Sequence, residues 1–285
     1  MVVMGFGLGA LVMSKVIAPL LLTITSDNLP MTFLYTGLFM LVLIPLAGSF
    51  MKNPPAGWLP AGYTPPAVNA ASKAADDKMT AKDSILSGRF AILWLIFFAN
   101  ISAGMMFIGL QSPMLQDILK LRDASLDIKA LAAAGATLVA ITSLFNGLGR
   151  FFWGGVSDKI GRVPTFRILL ASQILVFIAL IFLKDPIIFS VLVCYVLLCY
   201  GGGFGTMPST VNTIFGSRLM PVVYGFILTA WSAGGIVGPQ IAAIIKDKFG
   251  ASAPTYTFVT GAGILAFGLI LAFLINDKAF AKKHA

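Results

Sequence analysis

The chain contains no glutamate, one histidine and two cysteines in 285 residues, and this scarcity excludes several kinds of chemistry. Carboxylate pairs for acid–base catalysis and clusters of metal ligands are nearly excluded, because the histidine is His284, in the C-terminal tail. Cys194 and Cys199 share an apolar run but no helix face, which indicates packing thiols. Ser14 and Lys15, an adjacent nucleophile and base, would point about 100° apart on a helix. We therefore expect no enzyme, no metal site and no cofactor.

Charge is also scarce: charged residues make up 11% of the chain and hydrophobic residues 58%, with a mean hydropathy of +0.92. Too few polar side chains remain to cover a water-soluble core, so we predict an all-α integral membrane protein. The net charge of +9 does not indicate nucleic-acid binding, because the basic residues lie in short connections and a tail. Membrane lipids are expected partners, and nucleic acid is not.

Eight apolar stretches are each long enough to cross about 30 Å of hydrocarbon as a helix. The first of them lacks the basic start of a signal peptide, so we count it as a span. The predicted spans are residues 2–25, 31–51, 89–113, 129–154, 164–183, 186–214, 220–245 and 254–275.

The basic residues outside these spans are unevenly divided between the two sides of the membrane. Twelve lie on one side: Lys52, Lys73, Lys78, Lys82, Arg89, Lys159, Arg162, Arg167, Arg218, Lys278, Lys282 and Lys283. Six lie on the other: Lys120, Arg122, Lys129, Lys184, Lys246 and Lys248. Because cytoplasmic connections carry the excess of Lys and Arg, we predict an inner (plasma) membrane protein with both ends of this chain in the cytoplasm.

One stretch, from Asn146 to Arg167, ends an apolar segment in a tight basic turn and starts the next. It reads NGLGRFFWGGVSDKIGRVPTFR and contains the pattern Gly154-x3-Asp158-Lys159-x-Gly161-Arg162. The glycines allow two helix ends to approach, the aspartate suits the positive end of a neighbouring helix, and the two cations suit anionic lipid headgroups. We predict that this turn is a latch on the cytoplasmic side.

The pattern resembles the loop signature of the major facilitator superfamily, Gly-x3-Asp-Arg/Lys-x-Gly-Arg-Arg/Lys. The sequence departs from the signature at Val163, where a second basic residue is usual, so we expect the lipid-facing charge to be either weakened or supplied instead by Arg167. The resemblance implies a major-facilitator-type bundle built from two parallel six-helix halves.

A weak internal repeat relates the first two segments to the last two. Gly5-Phe6 aligns with Gly225-Phe226, Pro19 with Pro239, and Thr36-Gly37 with Thr260-Gly261. Segments three to eight would then form one complete half, and segments one and two would be the last pair of the other half. On that basis we expect an N-terminally truncated transporter that lacks four helices before Met1. The alternative is a genuine eight-helix protein whose repeat arises by chance.

The expected domains follow from this count. Residues 1–51 would form the last two helices of the N-terminal half, and residues 89–276 the six-helix C-terminal half. Residues 52–88, rich in Pro, Ala, Gly, Lys and Asp, would be a cytoplasmic linker with a short helix near residues 82–87. Residues 277–285 would be a cytoplasmic tail.

Two cations, Lys15 and Arg150, lie inside apolar spans, where an unpaired charge costs roughly 2.5–3.5 kcal/mol. The spans contain no acidic residue at a similar depth, so an anionic substrate is a natural partner. Arg150 suits a carboxylate because its planar fork donates two hydrogen bonds, and Asn146 and Ser143 continue a polar stripe along its helix. The alternative for Arg150 is that it extends to the cytoplasmic headgroups, since Asp158 follows eight residues later.

Segment six carries Gly201, Gly202 and Gly203 followed by Pro208, which weakens the helix at one level and predicts a gate hinge. Tyr200 and Phe204, four residues apart, share a face and would wall the cavity, unless they are ordinary packing aromatics.

Segment seven repeats small residues at Ala230, Gly234 and Gly238, a spacing that lets two helix backbones touch. We expect Gly5 and Gly9 to make the equivalent contact in segment one.

Within the superfamily, GRFFWGGVSDKIGR and GFILTAWSAGGIVGP resemble the oxalate/formate antiporter branch, over nearly the whole chain. The resemblance implies that Arg150 is the substrate-pairing arginine and that Tyr200 and Phe204 line the cavity. Trp231 falls where the oxalate exchanger has a lysine, so one of two cations for a dicarboxylate would be absent. A monocarboxylate such as formate, lactate or a small hydroxy or keto acid is therefore the expected substrate.

The function implied is secondary transport of a small organic anion by alternating access, as an antiporter or a proton-linked carrier, by a protein that is monomeric at full length. The alternatives are an oxalate or dicarboxylate exchanger, a non-transporting membrane regulator, and an inactive truncated fragment.

Overall fold

The computed structural model describes residues 5, 7–52, 55, 58, 62 and 80–275, and every regular element in this part of the chain is a helix. The first helix, α1, runs over Gly9–Ile24 and contains a π-helical turn at Met13–Ile17. The others are α2 (Leu29–Ser49), α3 (Ala81–Ile85), α4 (Gly88–Arg122), α5 (Ile128–Ile160), α6 (Arg162–Phe182), α7 (Pro186–Phe215), α8 (Met220–Ile227), α9 (Thr229–Phe249) and α10 (Ala253–Leu274).

The helices begin and end at residues whose chemistry favours a boundary. Asp127 and Asp185 cap α5 and α7 by accepting hydrogen bonds from backbone N–H groups of the first turn, and Ser87 caps α4 in the same way. Gly161 and Gly216 follow the last residues of α5 and α7 with φ of +94° and +80°, values that a side chain would strain.

The eight predicted membrane spans are all present as helices. Six stretches are long and apolar enough to cross a bilayer, and the last of them, Met220–Leu274, folds back at residues 250–252 and so holds two spans. The shorter apolar helix Gly9–Ile24 is the eighth. In the bundle, α5 packs along α7, α9 along α4, and α10 against both α6 and α4. The predicted all-α bundle of long apolar helices is thus present in the described residues.

The first span packs on α5 through a contact that differs from our prediction. Gly5 and Gly9 face open space, whereas a β-carbon on Gly7 would lie 2.6 Å from the Cα of Gly147. One turn away, the Ser143 hydroxyl donates to the Gly7 carbonyl (2.8 Å) and accepts from the Leu11 N–H (3.0 Å). Ser143 therefore inserts into the hydrogen-bond ladder of α1 and joins the two helices.

The seventh span is interrupted at Leu228, where the sequence had predicted one continuous helix. Helix α8 ends at Ile227 and α9 begins at Thr229. The Thr229 hydroxyl donates to the Phe226 carbonyl and accepts a 2.8 Å hydrogen bond from the indole nitrogen of Trp94 on α4. This hydrogen bond links Thr229, at the interruption, to α4.

Most of the predicted linker, and the whole predicted tail, lie outside the described residues. Within the linker, Thr80 and Asp83 form a capping box that starts α3, close to the predicted short helix. Helix α3 packs against α8, which places the end of the linker next to the interrupted span.

A buried arginine among aromatic rings

Glycines bring α5 and α7 into backbone contact at the level of Arg150. A β-carbon on Gly205 would collide with the Arg150 carbonyl, and one on Gly201 would collide with the Asn146 carbonyl. On the facing helix, a β-carbon on Gly149 would collide with the Leu198 carbonyl. Only glycine permits this approach, which sets Arg150 directly beside the aromatic residues of α7.

The Arg150 side chain is buried in the bundle, with a relative exposure of 5%. Its guanidinium carbon lies 4.7 Å from the centre of the Phe204 ring, a cation–π geometry. The predicted alternative, in which Arg150 extends to the headgroups, does not match this position. A guanidinium is planar and carries five N–H donors, a geometry that suits two-pronged hydrogen bonding to a carboxylate.

Phe204 lies at the centre of the aromatic group. Its ring packs edge-on against Tyr200 at 5.5 Å, Phe97 at 5.1 Å and Trp231 at 5.9 Å between centroids. These rings come from α7, α4 and α9, so three spans converge on the ring beneath the guanidinium. The structure therefore brings together four of the predicted substrate-binding residues: Arg150, Tyr200, Phe204 and Trp231.

Two phenol groups lie within electrostatic range of the Arg150 guanidinium, those of Tyr200 and Tyr224. Tyr200 is buried on α7, and Tyr224 is half-buried on α8, just before the interruption at Leu228. A phenol both donates and accepts hydrogen bonds, so either group can add a neutral contact beside the cation.

Two asparagines, the buried Asn100 and the half-buried Asn146, adjoin the same glycines. Asn100 on α4 lies against Gly203, and Asn146 on α5 lies against Gly201. Asn100 accepts a 3.0 Å hydrogen bond from Gln173, while its amide nitrogen and the amide oxygen of Asn146 have no partner among the described residues. Asn146 thus lies one turn from Arg150 on α5, and its role in substrate binding stays a prediction.

Lys15 lies apart from this group. Its ammonium donates a 3.0 Å hydrogen bond to the Thr137 hydroxyl, on an exposed part of α5. Thr137 and Arg150 are 13 residues apart on one helix, which is about 20 Å along its axis. The structure does not bring the two cations to one site.

The predicted hinge residues lie in an unbroken helix. Helix α7 continues through Gly201, Gly202, Gly203 and Pro208, and the three glycines are buried contact positions. Pro208 removes one helical hydrogen bond to the carbonyl of Phe204. Bending at this point stays a prediction, whereas close packing by the glycines is observed.

The loop pattern that starts at Gly154 forms a compact turn between α5 and α6. Asp158 and Arg162 form an ion pair at 2.6 Å, and Arg162 also donates to the Ser157 hydroxyl. Arg162 therefore contacts its own turn, while Asp158 and Lys159 are exposed and Gly154 has no neighbour that excludes a β-carbon.

Two neighbours of the loop pattern differ from expectation. Val163, where a basic residue is usual, is a core residue with 4% exposure. Arg167, expected to face lipid, donates to the carbonyls of Ala272 and Ile275 at 3.0 and 2.7 Å and stacks on Phe273. Arg167 therefore holds the C-terminal end of α10, where free carbonyls and the helix dipole favour a cation.

Sequence reasoning missed three residues around the site: Phe97, Asn100 and Tyr224. All three lie in strongly apolar stretches that carry no local signal for a cavity. Tyr224 joins the site through the interruption at Leu228, and no glycine or proline at that point of the sequence predicts it.

Residues 1–239 match the Major Facilitator Superfamily, and the chain therefore belongs to this superfamily. The resemblance inferred from the loop pattern is thus confirmed. The chain is 28% identical over 252 residues to the oxalate:formate antiporter of Oxalobacter formigenes, across 86% of this chain and 54% of that protein. It is also 28% identical over 160 residues to apicoplast pyruvate carrier 1 of Toxoplasma gondii, across 55% of this chain and 28% of the carrier.

Among solved structures, the chain resembles a bacterial homolog of the human lysosomal transporter Spinster, crystallised in an inward-facing, unoccupied conformation. The TM-score is 0.56 at 17% identity, covering 90% of this chain and 60% of that one. At this identity the likeness shows the fold alone. The chain spans about half the length of the antiporter it matches.

Proposed function

We propose that the whole protein is a secondary transporter of small monocarboxylates, such as formate, lactate or related acids, and that Arg150 binds the carboxylate. The observation that carries this proposal is the buried guanidinium stacked 4.7 Å above Phe204. A guanidinium in such a place binds carboxylates through two parallel hydrogen bonds, and the surrounding rings strengthen the pair by excluding water.

The relatives support a small carboxylate as substrate. One is named for the exchange of oxalate and formate, and another for the transport of pyruvate. All three named molecules are acids of one or two carboxylates with short carbon skeletons. Tyr200 and Trp231 pack edge-on against the Phe204 ring on which Arg150 stacks, so the groups that would contact the carboxylate surround one ring.

The position of Trp231 favours a substrate with one carboxylate over a substrate with two. It packs edge-on against Phe204, the ring on which the guanidinium stacks, and presents an indole where the branch resemblance implies a lysine. A dicarboxylate would place its second charge against an aromatic wall, without a second cation to neutralise it. Oxalate is therefore the less favoured substrate.

The transport cycle we propose is rocking of the two halves about the central site. The turn at Asp158 and Arg162 would lie at the cytoplasmic side, with both ends of this chain on that side, and the full-length protein would act as a monomer. In the described part of the chain, the aspartates lie at helix ends and in connections rather than at the depth of Arg150. Anion exchange, or passage of a proton on the substrate, is therefore favoured over a proton relay within these helices.

The first test is equilibrium binding of radiolabelled lactate and formate to the chain in nanodiscs, followed by counterflow in vesicles with the full reading frame. Arg150→Gln removes the charge-assisted hydrogen bonds, each worth about 1.5–3 kcal/mol, so we expect binding to weaken by about 10- to 100-fold or more. Lys129→Gln, at an exposed position on the same helix, is the control for altered surface charge. Unchanged lactate binding by folded Arg150→Gln protein would refute the proposal.

The second test addresses the choice of substrate. Trp231→Lys adds a second cation beside the Phe204 ring on which Arg150 stacks, so competition by unlabelled oxalate should strengthen relative to competition by formate, by tenfold or more. Trp231→Phe keeps the aromatic wall and should leave the preference unchanged. If the wild-type chain already prefers oxalate, the alternative of a dicarboxylate exchanger is correct.

A further inference from the structure

A second cationic position lies away from Arg150, where Lys15 meets an apolar groove. The groove is formed by α4, α5 and α7 and has a volume of about 670 Å³. Its lining is almost entirely aliphatic and aromatic, and Thr137, which accepts the hydrogen bond from the Lys15 ammonium, is one of its few polar residues. A positive charge therefore lies directly beside a hydrocarbon-like surface.

Among the described residues, no negative charge balances the Lys15 ammonium. The ammonium lies in the middle of an apolar span, and the Thr137 hydroxyl that accepts its hydrogen bond is uncharged. Among the residues that the structure describes, Lys15 takes part in no ion pair. The backbone at this point is a π-helical turn, Met13–Ile17, followed by Pro19, a kind of irregularity that is frequent at binding sites.

The shape of the groove favours an elongated tail. Its lining extends from Ala134 to Phe145 on α5, about 16 Å, and from Pro186 to Leu198 on α7, about 18 Å. A tail of roughly eight to ten carbons fits this length, and the volume falls within the roughly 300–1,000 Å³ range of small-molecule pockets. A formate- or lactate-sized acid would leave most of the groove empty.

We infer that Lys15, Thr137 and this groove form a second anion site, specific for lipophilic monocarboxylates such as medium-chain fatty acids. The carboxylate pairs with the Lys15 ammonium, and the tail lies between α5 and α7. Thr137 positions the ammonium, because its hydroxyl accepts from Lys15 and donates its own hydrogen to the Ala133 carbonyl. This site differs from the Arg150 site in depth along α5, in the side chains that form it and in the length of the acid it binds.

The test is photo-crosslinking of the nanodisc-reconstituted chain with a diazirine-bearing decanoate, with the labelled residues mapped by mass spectrometry. We expect labelling of groove residues, reduced tenfold or more in Lys15→Met, which keeps a similar shape without the charge. The matching diazirine-bearing decanol should label weakly and show no dependence on Lys15. Arg150→Gln should leave decanoate labelling unchanged, which separates this inference from the proposed function.

A second pair of variants tests the groove itself. Ala134 lines the groove, whereas Ala132, two residues away on the same helix, is exposed and does not line it. Ala134→Phe should block decanoate labelling, and Ala132→Phe should not, with size-exclusion profiles and thermal unfolding confirming that both variants fold. Equal labelling by decanol and decanoate, or labelling that persists in Lys15→Met, would overturn the inference and identify the groove as a surface for lipid tails.

Discussion

Glycine residues, whose side chain is a single hydrogen atom, determine how closely α5 and α7 approach each other. Gly201 and Gly205 carry no β-carbon, and the carbonyls of Asn146 and Arg150 occupy the space where one would lie. The same helices carry Arg150 and Phe204, so the separation of the two backbones sets the distance between the guanidinium and the ring. A methyl group at the crossing would therefore alter packing and binding together.

At this scale, Gly201→Ala should destabilise the protein by about 1–3 kcal/mol, because the new methyl meets a backbone carbonyl that cannot move independently. Lactate binding should weaken as well, since the crossing that sets Arg150 over Phe204 is widened. Gly155→Ala is the matched control, because its β-carbon would meet nothing within 4 Å and alanine favours the helix. Thermal unfolding in nanodiscs measures both, and equal stability of the two variants would contradict the prediction.

The residues of the site divide clearly into those that the sequence predicts and those that it does not. Arg150 is a charge inside an apolar span, and the four-residue spacing puts Tyr200 and Phe204 on one helix face, so local rules identify all three as candidates. Their placement beside Arg150 was implied only by the family resemblance. Phe97 and Tyr224 join the site through the packing of distant spans, which no local pattern encodes. Lys15 carries the same local signal as Arg150, but a different tertiary position separates it from the aromatic group.

Among the helices, the start of α7 shows how an element boundary responds to pH. Asp185 precedes the span, and the N–H groups of Ile188 and Ile187, together with the Arg122 guanidinium, favour its ionised form and lower its pKa below the ordinary value of 3.8. A lowered pKa in the folded state means that the stabilisation is present above the ordinary value. It is lost as the pH falls through the lowered pKa.

We therefore expect the first-turn amides of α7 to be protected from hydrogen exchange at pH 5 and above, and to lose protection as the pH falls below 3.8, after correction for intrinsic rates. Asp185→Asn keeps an acceptor oxygen but has no carboxyl group to titrate. In this variant the protection of the first-turn amides should therefore not depend on pH through residue 185. Asp185→Ala should lose protection at every pH. Protection in Asp185→Asn that follows the wild-type pH profile would show that another group controls this turn.

The elements themselves were largely predictable, and their interruptions were not. Apolar length gave all eight spans, and Asp127, Asp185 and Gly161 mark boundaries by ordinary capping chemistry. The interruption at Leu228 depends instead on a hydrogen bond from Trp94, more than a hundred residues earlier in the chain. The π-helical turn near Lys15 likewise accompanies the insertion of Ser143 from another span.

For the molecule as a whole, the uneven distribution of basic residues predicts its orientation in the membrane. Leu121, at the end of α4, and Lys159, at the end of α5, are both exposed and belong to opposite ends of the bundle. Cys194 and Cys199 are buried, so they should not react with a membrane-impermeant maleimide. New cysteines at the two exposed positions can therefore report the orientation of the native chain.

In intact cells, an impermeant maleimide should label Leu121→Cys and leave Lys159→Cys unlabelled. Inverted membrane vesicles should show the opposite pattern, because the loop between α5 and α6 is then on the outside. The wild-type chain is the control and should stay unlabelled in both preparations. Labelling of Lys159→Cys in intact cells would reverse the predicted orientation.

The interruption at Leu228 separates Tyr224 from Trp231, and both side chains border the Arg150 site from the two pieces of one span. A solute that contacts both rings would connect α8 and α9 across the interruption at Leu228. The bound solute would then stiffen the seventh span. Its release would leave α8, the shorter piece, free to move together with the end of the linker that packs against it.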